Sequence, residues 1–407
     1  MYLISKEDRS LKGEINISGS KSESNRLLII RAYTSFFKII NLSDSDDTNT
    51  LISALESNDE EINIGHAGTA MRFLTSYFSS TQNSSKILTG SERMKQRPIS
   101  ILVDALNNTG ADIEYINKVG YPPIRIKGKL ISNNTVTLPA NVSSQYLSSL
   151  MMLGISLSEG LIINLSTKIS SLPYIKMTKE LIERVGGKIL LQPDKIIVEP
   201  ILANKISDQT VESDWSSVSY FYSLVALSNF SEITISSFFK KSIQGDSRIV
   251  ELYKQFGVET KFRDNKIYLK KNKIVLPDSI SINLKDNPDL AQTIVITCLG
   301  LGVDCDLQGL HTLKIKETDR LLALKKEIEK FDVDRVDVSD QSIILKNNSA
   351  LKTGISIDTY NDHRMAMSFA PLSLINPIII NNPEVVSKSY SNFWNDLKLL
   401  GFNISKK

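Results

Sequence analysis

Residues 314–320, KIKETDR, bring two acids and three bases together just before a strongly helical run, LLALKKEIEKF. On a helix, Lys316 and Arg320 are four residues apart and share a face, with Glu317 beside them. Two cations that point in one direction suit a phosphate or carboxylate, and a carboxylate held among cations stays ionised and can shuttle protons. This stretch alone is also compatible with a solvated helix start that carries weak surface salt bridges.

Residues 19–26, GSKSESNR, open the first of several apolar helices. Ser20 and Ser22 are candidate caps, and Lys21 projects from the cap toward any bound anion. Arg26 lies four residues after Ser22, on the same helical face. The alternative is a capped helix with an exposed lysine.

Two further stretches combine arginine with glycine or proline at predicted helix starts. In GHAGTAMR, residues 65–72, Gly68 lets the backbone approach a ligand closely. In RMKQRPIS, residues 93–100, Pro98 favours the first turn of a helix, so Arg97 is expected at the mouth of that helix. Without a ligand, these are a glycine turn and solvated charge.

Neutral polar residues begin two more predicted helices, within SSQYL (from Ser143) and SLPYI (from Ser171). They supply donors and acceptors suited to a phosphate or a sugar-like hydroxyl: Ser143, Ser144 and Gln145, with Ser171 and Tyr174 placed before the second helix. Each pattern alone is also explained by capping.

Carboxylates precede the last two apolar helices. Asp289, in NPDLAQT, is either an N-cap or a base that faces a hydroxyl, and the motif does not decide between them. In TYNDHRMAM, Asp362, His363 and Arg364 precede an abruptly apolar run. Three adjacent ionisable residues that open a buried helix are costly unless they face a polar cleft, so this motif favours a functional site.

The elements that position these motifs repeat along the chain. Six short apolar helices begin at Ser22, Thr69, Ser143, Ser216, Asp289 and Asp362, and from Thr69 onward the period is about 73 residues. Amphipathic helices alternate with them and usually end at Gly or Asn; the run after KIKETDR is capped by Thr318 or Asp319. Strand-like runs such as KIIVEP, NKIYLK, QSIILKN and INPIIINN lie between. Six such units predict an α/β (α+β type) protein of two domains with three units each, in which the apolar helices are buried.

Composition excludes several other classes of protein. With 407 residues, 41% hydrophobic and 23% charged, the chain reads as an ordinary globular protein of two or three domains. A net charge of +3 argues against nucleic acid as a partner and suits small anions. No signal-peptide pattern, membrane-length apolar run, zinc motif or carboxylate cluster with metal spacing is present, so we expect a cytoplasmic protein with no membrane partner and no metal. Cys298 and Cys305 are expected to be reduced core thiols.

The order and spacing of GSKSESNR, GHAGTAMR, RMKQRP, SSQYL, SLPYI, KIKETDR and YNDHRMAM resemble the 5-enolpyruvylshikimate-3-phosphate synthases over essentially the whole chain. KETDR together with NDHRMAM is the most specific part. The resemblance implies the enolpyruvyl transferase fold, an inside-out α/β barrel with two domains of three βαβαββ units. The domains would be residues 21–212, and residues 1–20 with 213–407.

The resemblance also implies a reaction. The enolpyruvyl group of phosphoenolpyruvate passes to the 5-hydroxyl of shikimate 3-phosphate and phosphate is released, a step on the shikimate pathway to chorismate and the aromatic amino acids. Both substrates are small anions, no cofactor is required, and a monomer is expected.

Site roles are carried over by the same resemblance. The catalytic residues would be Asp289, which accepts the hydroxyl proton, Glu317 and Lys21, which handle the proton at the methylene carbon, and His363, supported by Asp362. Shikimate 3-phosphate would be held by Lys21, Ser22, Arg26, Ser143, Ser144, Gln145, Ser171, Tyr174, Asp289, Thr312 and Lys316. Phosphoenolpyruvate would be held by Lys21, Gly68, Arg97, Gln145, Arg320, Arg364 and Lys388, the last read from VVSKSYSNF.

Three positions depart from the family pattern. His66 and Thr312 stand where Asn is common, and Phe73 stands where Pro is common. The two Asn replacements could retune binding without changing the reaction. Gly68 is retained at the position where a larger residue weakens glyphosate, so glyphosate sensitivity is expected.

Two other functions are compatible with this fold. The sister enzyme that transfers enolpyruvyl to UDP-N-acetylglucosamine has a reactive Cys in a loop of its second domain, whereas residues 86–100 contain none. A non-catalytic anion-binding protein of the same fold is the other rival, and the retention of Lys21, Asp289 and Glu317 argues against it.

Overall fold

The computed structural model describes residues 1–34, 37–141, 143–202, 206–346 and 351–407. These residues divide into two compact units. Unit 1 contains Met1–Ser18 and Glu212–Lys407, and unit 2 contains Gly19–Val211.

Three four-stranded sheets of one topology are found in the described part of unit 1. The first two strands of each sheet run parallel, and the second pairs with one member of an antiparallel pair. In spatial order the sheets are Ser10–Asn16, Phe230–Ser236, Lys266–Lys271 and Val258–Arg263; Ser279–Asn283, Asp304–Gln308, Ser342–Lys346 and Arg335–Val338; Ser356–Ile357, Ile378–Ile380, Tyr2–Ser5 and Asn403–Lys406. The four strand-like runs named from sequence are confirmed, three of them here.

Unit 2 repeats this topology in two four-stranded sheets among its described residues. They are Glu61–Asn63, Ser85–Thr89, Ile124–Lys127 and Asp112–Tyr115, and Thr135–Leu138, Leu161–Leu165, Lys195–Val198 and Ile189–Leu191. A third sheet has two parallel strands, Ile39–Ile40 and Gln209–Thr210, in the described residues. In each of these two four-stranded sheets a helix lies between the two parallel strands, as a parallel connection requires.

The six predicted apolar helices are all present. In unit 2 they are Lys21–Tyr33, Gly68–Ser80 and Ser144–Gly154, and in unit 1 they are Trp215–Leu227, Ala291–Leu301 and His363–Phe369. Their side chains are buried on nearly all sides, and within each unit they pack on one another. Small hydroxyl residues lie where these helices meet, and their side chains form hydrogen bonds between the helices. Ser219 Oγ lies 3.0 Å from Thr293 Oγ1, and Thr297 donates to Ser223 at 2.8 Å.

The amphipathic helices cover the outside of these buried helices. They are Asp46–Glu56, Ser100–Asn108 and Leu172–Arg184 in unit 2, and Arg320–Glu329 and Phe393–Leu399 in unit 1. Their apolar residues recur at helical spacing, as Ile175, Leu181 and Ile182 do.

One predicted amphipathic helix is wrong in form. The run RIVELYKQF is a short α-helix, Ile249–Leu252, between two 3₁₀ segments, Gly245–Arg248 and Tyr253–Phe256. The β-branched and aromatic residues of this run have lower helix propensity than Ala or Leu, which helps to explain the tighter turns. It ends, as expected for this class, at a glycine in the left-handed region, Gly257 with φ 78°.

Further 3₁₀ turns lead into or out of the functional motifs. They are Met94–Gln96, Pro288–Leu290, His311–Ile315, Ala370–Leu374 and Pro383–Lys388. Such turns allow a side chain at a helix start to be aimed differently from a regular helical position.

Candidate active site

The KIKETDR motif of unit 1 is largely non-helical. The 3₁₀ turn His311–Ile315 ends before Lys316, which is extended, and the α-helix begins only at Arg320. Of the two candidate caps, Asp319 is the N-cap, and its side chain accepts from Leu322 N at 3.2 Å. The predicted helical face shared by Lys316 and Arg320 is therefore wrong, because the cap places Lys316 and Glu317 in the preceding loop.

Arg320 is the centre of a buried charge cluster. Its guanidinium donates to Asp362 Oδ2 at 2.7 Å, to Asp289 Oδ1 at 2.9 Å and to Glu317 Oε2 at 2.9 Å. Its side chain is 2% exposed, so burial alone would lower its pKa. The charges of Asp362, Glu317 and Asp289 outweigh burial and raise the pKa of Arg320 above its usual range.

Asp289 is the acid around which the cations gather. Besides Arg320, it contacts Arg364 Nη2 at 3.2 Å and Lys316 Nζ at 3.6 Å. Burial would raise the pKa of Asp289, but Arg364, Lys316 and Arg320 hold it well below its usual range. Burial in turn lowers the pKa of Lys316. Asp289 is thus an ionised carboxylate at neutral pH, available to accept a hydrogen bond.

Glu317 joins this cluster to Lys388. Lys388 Nζ lies 3.0 Å from Glu317 Oε1, while the other carboxylate oxygen accepts from Arg320. Lys388 ends the 3₁₀ turn Pro383–Lys388 and is 9% exposed. The C-terminal stretch VVSKSYSNF therefore brings Lys388 to the same group of charges.

The NDHRMAM motif begins a buried helix with its own cap. Asp362 is the N-cap of His363–Phe369 and accepts from Arg364 N at 2.9 Å. His363 Nδ1 lies 3.7 Å from Asp362 Oδ1. Arg364 also lies 3.4 Å from the hydroxyl of Tyr220, whose pKa burial raises to about 12. Thr312, in the 3₁₀ turn before KIKETDR, has a buried Oγ1 with no hydrogen bond among the described residues.

In unit 2, Lys21 is held by a carboxylate that the sequence analysis did not name. Lys21 is the first residue of its helix, and its Nζ lies 3.1 Å from Asp47 Oδ2. Asp47 belongs to the first turn of the helix Asp46–Glu56, within the acidic run SDSDD that could have drawn attention to it. Ser20 precedes Lys21 but makes no side-chain cap, so that expectation is wrong.

Arg26 is buried and fixed in direction. It donates to Thr178 Oγ1 at 2.7 Å, to Ser148 Oγ at 3.1 Å and to Ser22 O at 2.8 Å. Burial lowers the pKa of Arg26 to about 10, which leaves it cationic at neutral pH. Its guanidinium carbon lies 5.9 Å from the ring centre of Tyr174.

Gly68 and Arg97 form one contact region in unit 2. Gly68 is the first residue of its helix, and a Cβ built on it would lie 2.4 Å from Arg97 Nη1. Arg97 follows the 3₁₀ turn Met94–Gln96, but the next helix begins at Ser100. Pro98 therefore lies before the N-cap rather than in the first turn, contrary to expectation. Its carbonyl oxygen accepts from the Arg72 side chain at 2.9 Å, which fixes the loop.

The two neutral motifs also lie at helix starts. Ser143 caps Ser144–Gly154 by accepting from Gln145 N at 3.3 Å, and Gln145 Nε2 donates to Thr69 Oγ1 at 3.4 Å. Ser171 precedes the helix Leu172–Arg184 in a left-handed conformation, φ 53°. Tyr174 lies inside that helix rather than before it, because the helix begins at Leu172.

Asp246 is a second acid that the sequence analysis missed. It is buried in the 3₁₀ turn Gly245–Arg248 and accepts from Ser216 Oγ at 2.5 Å. Burial and the charge of Asp289 raise the pKa of Asp246 to about 6. A GD pair after a loop is a weak signal, and nothing local marks it as a neighbour of residues 43 positions away.

No group of His, Cys, Asp and Glu able to hold a metal ion occurs in the described residues. Among the described residues, no helix is long and apolar enough to cross a membrane. Cys298 and Cys305 are free and buried, as predicted, and burial raises the pKa of Cys298.

Each unit therefore holds several cations at or near helix starts and 3₁₀ turns, and most of them are held by a hydrogen bond or an ion pair. In unit 1 four cations, Lys316, Arg320, Arg364 and Lys388, surround carboxylates that include the ionised Asp289. In unit 2, Lys21, Arg26 and Arg97 are accompanied by hydroxyl and amide groups. Such sets can bind phosphates and carboxylates and can move a proton at a hydroxyl.

Known proteins of the same kind were found by sequence. The family model for EPSP synthase (3-phosphoshikimate 1-carboxyvinyltransferase) matches residues 51–397. A 3-phosphoshikimate 1-carboxyvinyltransferase of Bacteroides fragilis strain YCH46 is 45% identical over 406 residues, which cover 99% of this chain and 98% of that protein. The enzyme of the same name from Colwellia psychrerythraea is 34% identical and covers 95% of this chain and 96% of its own.

Solved structures show the same fold at lower identity. An EPSP synthase from Acinetobacter baumannii matches with a TM-score of 0.75 at 19% identity, covering 100% of this chain and 99% of that one. The enolpyruvyl transferase NikO from Streptomyces tendae matches with a TM-score of 0.76 at 13% identity, covering 99% and 98%. The fold predicted from sequence, that of the enolpyruvyl transferases, is confirmed. The chain belongs to the EPSP synthase (3-phosphoshikimate 1-carboxyvinyltransferase) family.

Proposed function

We propose that this chain transfers the enolpyruvyl group from phosphoenolpyruvate to the 5-hydroxyl of shikimate 3-phosphate, releasing phosphate. The observation that carries the proposal is Asp289, a buried carboxylate kept ionised by Arg320, Arg364 and Lys316. A hydroxyl can attack only as its proton leaves, and the ionised Asp289 is the acceptor for that proton. The cations lower its proton affinity in the free protein, and the anionic substrates, by sharing those cations, restore it. Membership of the family supplies the identity of the substrates.

The proton balance assigns the remaining acid–base groups. As the hydroxyl oxygen bonds to the central carbon of phosphoenolpyruvate, the methylene carbon gains a proton from Glu317 or Lys21 and becomes a methyl group. The resulting tetrahedral ketal then loses phosphate, and the group that gave the proton takes one back from the methyl group, which restores the double bond. Each acid–base group contributes about 10²–10⁴-fold to the rate. The fixed cations stabilise the charge on carboxylate and phosphate throughout.

The binding residues are proposed in two sets. Lys21, Ser22, Arg26, Ser143, Ser144, Gln145, Ser171, Tyr174, Asp289, Thr312 and Lys316 hold shikimate 3-phosphate. Lys21, Gly68, Arg97, Gln145, Arg320, Arg364 and Lys388 hold phosphoenolpyruvate. His363 and Asp362 support the residues that hold phosphoenolpyruvate. Asp362 accepts a hydrogen bond from Arg320 and caps the helix whose first turn carries Arg364.

Oligomeric state, location, domain organisation and cofactor requirement are part of the same proposal. We propose that the enzyme acts as a cytoplasmic monomer, that its two units are the family's two domains, and that it needs no cofactor. Light scattering of the purified protein tests the monomer directly.

The function is tested by phosphate release from phosphoenolpyruvate, with and without shikimate 3-phosphate, in chelator-treated buffer. Release that requires shikimate 3-phosphate and ignores chelator is expected. Release with UDP-N-acetylglucosamine instead would assign the sister activity. Silence with both acceptors would leave a non-catalytic anion-binding protein.

A further inference from the structure

A strained turn comes immediately before the residues that begin the last buried helix. Asp362 N donates to Thr359 O at 2.8 Å, which closes a four-residue turn. Both central residues have positive φ, 52° at Tyr360 and 54° at Asn361. Positive φ at both central positions is the pattern of a type I′ turn, in which Asn, Asp and Gly are the favoured residues. Asn361 fits that preference, whereas a bulky aromatic residue at Tyr360 does not.

The side chain of Tyr360 is anchored to a buried carboxylate. Its hydroxyl donates to Glu327 Oε1 at 2.7 Å. The second oxygen, Glu327 Oε2, accepts from Asp358 N at 3.0 Å and from Lys330 Nζ at 2.6 Å. Glu327 is 0% exposed. Strained backbone persists only where its surroundings over-determine it, and this carboxylate holds the chain on both sides of Thr359.

The same helix also holds the residue that follows the turn. Glu327 lies seven residues after Arg320 on the helix Arg320–Glu329, so the two side chains share a face. Arg320 donates to Asp362 Oδ2 at 2.7 Å and to Asp362 Oδ1 at 3.4 Å. The turn is therefore fastened to one helix at its start through Glu327 and at its end through Arg320.

We propose that Glu327 and Tyr360 are positioning residues that set Arg364 for phosphoenolpyruvate. The inference rests on the proposed function, in which Arg320 and Arg364 hold that substrate. Asp362 caps the backbone of Arg364, so a turn that relaxes at Tyr360 shifts the cap and the Arg364 side chain together. Neither Glu327 nor Tyr360 touches the reacting atoms; they act through the direction of the turn.

The test compares two tyrosines that each lose one hydroxyl. Tyr360→Phe removes the bond to Glu327, and Tyr222→Phe removes a bond of 2.9 Å to Thr260 Oγ1 in the same unit. Tyr222 is buried and lies outside the proposed machinery, so it controls for the loss of one hydrogen bond. Steady-state kinetics at saturating partner substrate give both KM values and kcat, and thermal melts give stability.

We expect Tyr360→Phe to raise the KM for phosphoenolpyruvate about three- to tenfold, the usual worth of one hydrogen bond. Tyr222→Phe should leave that KM unchanged. Destabilisation alone reduces the amount of folded enzyme, which lowers apparent kcat and moves neither KM. Glu327→Gln, which keeps the side-chain volume, should change the KM in the same direction and by more.

Two results would overturn the inference: an unchanged KM for phosphoenolpyruvate in Tyr360→Phe, or an equal rise in Tyr222→Phe. Should Glu327→Gln fail to fold, the tyrosine pair still decides. A wild-type protein with no turnover would instead defeat the proposed function. The two failures are therefore told apart by the wild-type assay.

Discussion

Gly68→Ala should make the protein slightly more stable and a poorer enzyme. Gly68 begins a helix and does not lie in the left-handed region, so an alanine fits its backbone. Replacing Gly by Ala at a compatible position commonly stabilises by about 0.4–1 kcal/mol. The added methyl group nevertheless meets the guanidinium of Arg97, which we propose holds phosphoenolpyruvate.

The size of the expected rise in the KM for phosphoenolpyruvate follows from the position of Arg97. The new Cβ would lie 2.4 Å from Arg97 Nη1, whereas ordinary contact begins near 3.4 Å, so the guanidinium must retreat by about 1 Å. It is the far end of a flexible side chain and can move without disturbing the fold. A displacement of about 1 Å in a substrate-positioning group can cost as much as ~10²-fold, so we expect the KM for phosphoenolpyruvate to rise about 10- to 100-fold.

The assay measures both KM values, kcat and thermal stability for Gly68→Ala, Arg97→Ala and the double variant. If the methyl group acts through Arg97, then Gly68→Ala should add little in the Arg97→Ala background. An additive effect, or a wild-type KM for phosphoenolpyruvate in Gly68→Ala, would refute the reasoning. Because a larger residue here is associated with weaker glyphosate binding in the family, the single variant should also be less inhibited.

Three other outcomes follow from the unit 1 cluster. Asp289→Asn should lower kcat by about 10²–10⁴-fold while calorimetry still detects binding of shikimate 3-phosphate, and full turnover would exclude Asp289 as the base. Arg320→Ala leaves the carboxylates of the cluster without their shared cation and should cost about 3–5 kcal/mol in urea unfolding, whereas Arg335→Ala, whose exposed pair is with Asp337, should change little. Burial raises the pKa of Asp246 to about 6 from an ordinary 3.8, so its contribution to folding is fully present below pH 3.8 and is lost as pH rises through 6. Asp246→Asn cannot ionise and should gain stability relative to wild type between pH 4 and 7, by up to roughly 3 kcal/mol; a difference that does not vary with pH would contradict this.

Periodic features could be predicted from the sequence because they depend on near neighbours. The six apolar helices, the strands after them and the cap at Ser143 are all encoded within one or two turns of chain. The break in the predicted helix at residues 248–256 was missed because the apolar spacing of this run is helical, while its β-branched and aromatic residues have low helix propensity. Tyr174 and Lys316 were misplaced by a few residues, since helix boundaries depend on which candidate residue provides the cap.

Partners distant in sequence could not be predicted from local patterns. Asp47 lies 26 residues from Lys21, and Asp362 lies 42 residues from Arg320. The two residues of each pair meet only because the folded chain brings the ends of different helices together. Glu327 looks like a solvated helix residue in the run LLALKKEIEKF, and only the fold shows that it is buried.

The strand Tyr2–Ser5 has a consequence for the order of folding during synthesis. It pairs with Ile378–Ile380 on one side and with Asn403–Lys406 on the other. At about 5–20 residues per second, a ribosome needs roughly 20–80 s to make the second of these partners. Unit 2, which is one continuous stretch, can fold within that interval. Until both partner strands have been made, Tyr2–Ser5 has at least one unpaired edge. During that time the nascent chain is exposed to edge-to-edge aggregation and to chaperones, because unit 1 cannot yet finish folding.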